Sequence, residues 1–265
     1  MKRNIVVAIT GASGVAYAVR LLEVLSAAGC DLHLIISPAA QAVFKQELDL
    51  TIDLENFDPG MLMLDVGSSL RDRKLQAIRA LAGISSEKSN VLAVSSGEDG
   101  KLHYYHYRDY LAAVASGSFL THGMVICPCS SGTLSAIVHG TSANLIHRAA
   151  EVHLKERRKL ILVPRETPLS ITLLDNMKRA AEAGAIMIPA MPGFYPGVKS
   201  IRDLIDFVVG RICDQLAIEN SLIERWGSRK DLTFSSPGLF INCRVASSKP
   251  SFWWVFGRLP PYSRL

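Results

Sequence analysis

Several short stretches of this chain concentrate residue types suited to holding a phosphorylated ligand. Gly11-Ala12-Ser13-Gly14 follows the apolar run Ile5 to Ile9. Small residues let a backbone approach a phosphate, a following helix N-terminus offers free N–H groups, and Ser13 adds a hydroxyl. The pattern is not G-x-G-x-x-G, so no dinucleotide is indicated, and a plain tight turn also satisfies it. Ser37-Pro38 ends a second apolar run and reads equally as a crevice-facing hydroxyl or a simple helix N-cap. Cys127-Pro128-Cys129 leads into Ser130, Ser131, Gly132 and Thr133, which repeat the anion-cradle logic. Two such loops together favour a mononucleotide.

Cations supply the second theme. Arg148, Lys155, Arg157, Arg158, Lys159 and Arg165 crowd one region, and Arg165 is followed by Glu166. Arg148 and Lys155 are seven apart, which places both on one helix face. Arginine suits bidentate phosphate contact and lysine a point-charge contact. Arg157, Arg158 and Lys159 read as a solvated face. Tyr195, in Pro192-Gly193-Phe194-Tyr195, and Arg211 fit ordinary surface as well as a site. Glu47 is a lone carboxylate whose bland reading is surface.

The elements that must position these residues alternate. Residues 3–9, 32–36, 124–127, 160–163 and 185–188 read as short buried strands. Helical patterns cover 14–28, 38–48, 131–139, 145–157, 170–183 and 200–217. A strand, glycine loop, helix, strand opening implies parallel pairing and a right-handed crossover. The whole predicts a doubly wound, mainly parallel α/β sheet in three layers, Rossmann-like, with ligands at the carboxyl edge. Residues 50–114 break the rhythm and read as an insertion, with a helix over 69–83 and a hairpin-like pair at 90–96 and 101–107. The expected domain is therefore 1–226, followed by a basic, Trp-rich, irregular tail over 227–265.

Composition bounds the partners. Of 265 residues 49% are hydrophobic and 20% charged, which excludes global disorder. No apolar run is long enough for a membrane span. The net charge of +5 first suggests a polyanionic partner, but residues 1–225 hold 23 Lys+Arg and 23 Asp+Glu. The excess belongs to the tail, and no nucleic-acid groove with interleaved aromatics is expected. Five scattered cysteines imply no disulfide framework and a cytoplasmic setting, and no Cys/His spacing assigns a metal.

TGASG, ISPAAQ, MVICPCSSGTLSAIVHG, NLIHRAAEVHLKERRKLILVPRETPL and IMIPAMPGFYPGVKSIRDLIDFVVGRICDQLAI, in this order, resemble the flavin prenyltransferase (UbiX-like) family over about 3–49 and 115–226. The resemblance implies a flavoprotein fold, a homo-oligomer (typically a dodecamer), and transfer of a dimethylallyl group from dimethylallyl phosphate to N5 and C6 of reduced FMN. The prenylated FMN would serve a UbiD-like decarboxylase. By the same resemblance Gly11, Ala12, Ser13, Ser37, Ser130, Ser131, Gly132, Thr133 and Arg165 hold FMN. Arg148, Lys155, Tyr195 and Arg211 then bind the prenyl donor, and Glu47, Lys155, Arg165 and Glu166 act in catalysis, the two carboxylates in proton handling. The insertion is longer than the family leads one to expect, and the tail resembles no family segment. An FMN-dependent decarboxylase of the same fold, or a non-catalytic flavin- or anion-binding module, stays open as an alternative.

Overall fold

The computed structural model describes residues 2–62, 100–195, 197–223 and 225. Within them lie β1 (Asn4–Ile9), α1 (Val15–Ala27), β2 (Asp31–Ile36), α2 (Pro38–Leu48), β3 (Leu102–His106), β4 (Gly123–Cys129), α3 (Ser131–Val138), α4 (Leu145–Lys155), β5 (Leu160–Pro164), α5 (Ile171–Glu182), β6 (Ile186–Met187) and α6 (Ile201–Leu216). The expected helix at 69–83, the strand at 90–96 and the tail 227–265 lie outside the described residues. One compact unit runs Met1–Arg225.

The six strands form one parallel sheet in the order β3-β2-β1-β4-β5-β6. The middle strands are apolar along their whole length because helices cover both faces. Alternate residues sort to opposite sides: Ile5, Val7 and Ile9 pack with α1, α2 and α6, whereas Val6 and Ala8 pack with α3, α4 and α5. In α1 the buried Val15, Ala18, Val19, Leu22 and Leu25 recur at helical spacing. Gly29, at φ 74°, turns the chain into β2. Ser200 and Asp203 cap α6 reciprocally.

Two expectations change. Residues 102–106 form the expected strand but pair parallel with β2, Leu32 opposite Leu102 through Ile36 opposite His106; the other half of the expected hairpin-like pair, 90–96, lies outside the described residues. The stretch read as an insertion thus ends in a strand of the sheet. Its partner lies some 70 residues earlier, and its Leu-His-Tyr-Tyr-His sequence is only half-buried, as an edge strand permits. The second change is at Pro128 and Cys129, expected beyond a strand ending at Cys127. Here β4 continues, with a register irregularity between Ile126 and Cys129. Both thiols are buried, and burial pushes the Cys129 pKa up to about 12. Neither is a thiolate nucleophile at neutral pH.

Candidate active site at the carboxyl edge

Strand order reverses between β1 and β4, and ligands of open α/β sheets bind at such a switch point. Thr10 ties the two strand ends together. Its buried hydroxyl donates to the Pro128 carbonyl at 2.8 Å and accepts from Ser130 N at 2.8 Å. The loops at 10–14 and 130–133 are thereby fixed side by side.

Each loop residue has a local duty. Gly11 is required by packing: a Cβ there would lie 2.4 Å from the Ala39 Cβ at the start of α2. Gly14 holds φ 113°, a conformation that side chains strain to adopt. Ala12 is buried and Ser13 half-buried. Ser37 caps α2 by accepting from Ala40 N, so the N-cap reading holds in the structure. Ser130 caps α3 by accepting from Thr133 N and also donates to Thr133 Oγ1 at 3.0 Å. Ser131 and Gly132 are exposed, and a Cβ on Gly132 would meet open space.

Glu47 is not a surface carboxylate. From the far end of α2 it accepts from Gly14 N at 3.0 Å and Val15 N at 2.9 Å. The N-terminus of α1, which has no side-chain cap within its own segment, is satisfied by this carboxylate instead. The Gly14 and Val15 amides expected to face a phosphate are therefore engaged.

Arg165 follows β5 and donates from Nε to the Ser13 carbonyl at 3.4 Å, which joins it to the first loop. Glu166 beside it is exposed, and its carboxylate accepts from Thr167 N. Gly11, Ala12, Ser13, Ser37, Glu47, Ser130 to Thr133, Arg165 and Glu166 thus share one edge of the sheet.

The remaining residues are elsewhere on the chain. Lys155 ends α4 beside Glu156 and Gly117, before β5 begins, whereas Arg165 comes after β5 ends. A five-residue strand separates the two levels by roughly 15 Å. Arg148, one face with Lys155, donates to the Ala115 carbonyl at 3.2 Å and pairs with Glu151. Tyr195 and Arg211 belong to the opposite face of the sheet. The Tyr195 ring stacks edge-on against Phe207 of α6 with centroids 5.7 Å apart, and Arg211 lies one turn further on, paired with Asp214. Lys155 and Arg165 are thus not brought together within one chain, and Tyr195 and Arg211 stand on the α6 side. Arg158, read as solvated, instead holds the Gly117 and Phe119 carbonyls, and Lys159 donates to Gln215 O. Thr10 was missed because its partners lie 118 and 120 residues away.

The comparisons with known proteins fit this geometry. A family model described as Flavoprotein matches residues 1–213. The flavin prenyltransferase UbiX of Halalkalibacterium halodurans is 41% identical over 225 residues, covering 85% of this chain and 94% of that protein. The chain belongs to the UbiX flavin prenyltransferase family. Among solved members, AnUbiX (PadA1) in complex with FMN and dimethylallyl pyrophosphate superposes with a TM-score of 0.66 at 36% identity, over 87% of this chain and all of that one. A structure described as a dodecameric FMN-dependent UbiX-like decarboxylase from Escherichia coli O157:H7 gives 0.62 at 32% identity, over 84% of this chain and 98% of that one. Flavin prenyltransferases of this family are transferases, and the α/β fold with its all-parallel sheet is theirs. Among the described residues, no helix is long and apolar enough to cross a membrane, and no cluster of three His, Cys, Asp or Glu is placed for a metal ion.

Proposed function

We propose that this chain joins the dimethylallyl group of dimethylallyl phosphate to N5 and C6 of reduced FMN, releasing phosphate, and that the prenylated FMN serves a UbiD-like decarboxylase in the cytoplasm. The observation that carries the reading is the junction of Arg165 with the Ser13 loop at the switch point of a family-matched fold. The residues fit FMN: Gly132 opens onto free space at the start of α3, beside the exposed Ser131 hydroxyl, and Arg165 brings a cation to the same edge. Gly11, Ala12, Ser13, Ser37, Ser130, Ser131, Gly132, Thr133 and Arg165 would hold it. When bound, the reduced flavin supplies the nucleophilic positions.

The chain's own groups align, screen and move protons. Arg165, Lys155, Arg148, Tyr195 and Arg211 stabilise the phosphate as the allylic C–O bond breaks. Glu166, exposed at the edge, is the carboxylate open to accept a proton, and Glu47 holds the first loop through its amide contacts. Because Lys155 sits a strand's length from Arg165, a second copy of the chain completes the site. Tyr195, 58% exposed, and Phe194, 70% exposed, suit burial against that copy. A homo-oligomer follows, a dodecamer by likeness to the E. coli protein.

The test is phosphate release. With reduced FMN and dimethylallyl phosphate together, inorganic phosphate should appear in proportion to flavin consumed, and with either omitted it should not. Phosphate released at the same rate without flavin would mark a phosphatase and overturn the reading.

A further inference from the structure

Tyr17 stands at the centre of the carboxyl edge with no part in the account so far. It lies in the first turn of α1, where helical side chains lean toward the N-terminus and hence toward the loops. A Cβ on Gly14 would lie 2.9 Å from Tyr17 Cδ2 and 4.0 Å from Pro128 Cβ, so the ring lies over the first loop near the end of β4. The ring is half-buried against the core, and within the described residues no hydrogen bond engages its hydroxyl. Burial raises the phenol pKa, the Cys127 thiol adds to that, and the charge of Arg165 opposes it. The hydroxyl therefore stays protonated, a neutral donor within the field of a guanidinium.

We infer that Tyr17 is a substrate-binding residue whose hydroxyl donates to the phosphate group of the prenyl donor that Arg165 neutralises. An O–H donor that lacks a protein acceptor, set beside a cation at a ligand-binding edge, is satisfied best by an anion. As the C–O bond breaks and charge collects on the departing oxygen, this hydrogen bond strengthens; the proton stays on Tyr17. The inference rests on the proposed prenyl transfer.

Tyr17→Phe keeps the ring over Gly14 and removes the hydroxyl alone. Four measurements on the full-length oligomer decide the matter: donor kinetics at saturating reduced FMN, inorganic phosphate binding by calorimetry, FMN affinity by fluorescence, and melting temperature. Tyr17→Phe should lower kcat/KM for dimethylallyl phosphate roughly 10- to 100-fold and weaken inorganic phosphate comparably. FMN affinity and melting temperature should stay those of the wild type. Unchanged donor kinetics with unchanged phosphate binding would overturn the inference. So would an equal loss of FMN affinity, or a melting temperature several degrees lower, since either makes the hydroxyl a flavin contact or a structural one. If the wild type forms no prenylated flavin, the functional reading fails by itself, and the phosphate calorimetry still decides the role of Tyr17.

Discussion

Glu47 satisfies, from another helix, the amides at the start of α1 that no side chain in that segment caps. Replacing it by alanine leaves the Gly14 and Val15 N–H groups to water and loosens the loop that carries Ser13. Glu47→Ala should cost about 1–2 kcal/mol in denaturant unfolding. FMN affinity should fall as well, and an unchanged unfolding midpoint would remove the capping role. Two histidines set an acid limit. His33, buried and next to His103, and His153, more deeply buried, both have pKa values lowered to about 4. Between pH 6.5 and 4 the unfolded chain binds protons that the folded chain refuses, so stability falls as pH drops through that window, on the order of 2–3 kcal/mol per ring. His33→Gln should flatten that slope in urea titrations across this range. Residue types made the three loops legible in the sequence. The partners of Thr10, Glu47 and Tyr17 were not, because those contacts join segments that only the fold brings together.

The helices were legible because their burial is periodic, and the central strands because they are apolar throughout. β3 was legible as a strand at 101–107, but its place beside β2 was not, because a partner 70 residues away leaves no local signal. What holds α1 against α6 was equally hidden. Arg20, 1% exposed, donates from Nε to Asp206 at 2.7 Å and pairs with Glu23, while Arg202 approaches Asp206 from the same helix. Asp206→Ala would leave the buried guanidinium with Glu23 alone and should destabilise by about 2–4 kcal/mol. Arg20→Met combined with Asp206→Leu should recover much of that loss, because an apolar pair removes both charges together. If the single and double variants unfold alike, the pair is not what joins the helices.

At the scale of the whole molecule, the body is electrically balanced, and its cations serve as local clusters rather than as one polyanion-binding surface. Those clusters occupy both faces and both edges of the sheet, so the proposed site draws on more than one copy. Lys155→Ala and Arg165→Ala should each be inactive alone. Mixed oligomers of the two should regain activity, because some sites then combine an intact Lys155 with an intact Arg165 from different chains. No recovery on mixing would confine the site to a single chain. The most direct test remains the flavin product itself. Purified protein incubated anaerobically with reduced FMN and dimethylallyl phosphate, then analysed by mass spectrometry, should yield a flavin heavier by one C5 isoprenyl unit. Recovery of unmodified FMN alone, from protein that binds both ligands, would contradict the account.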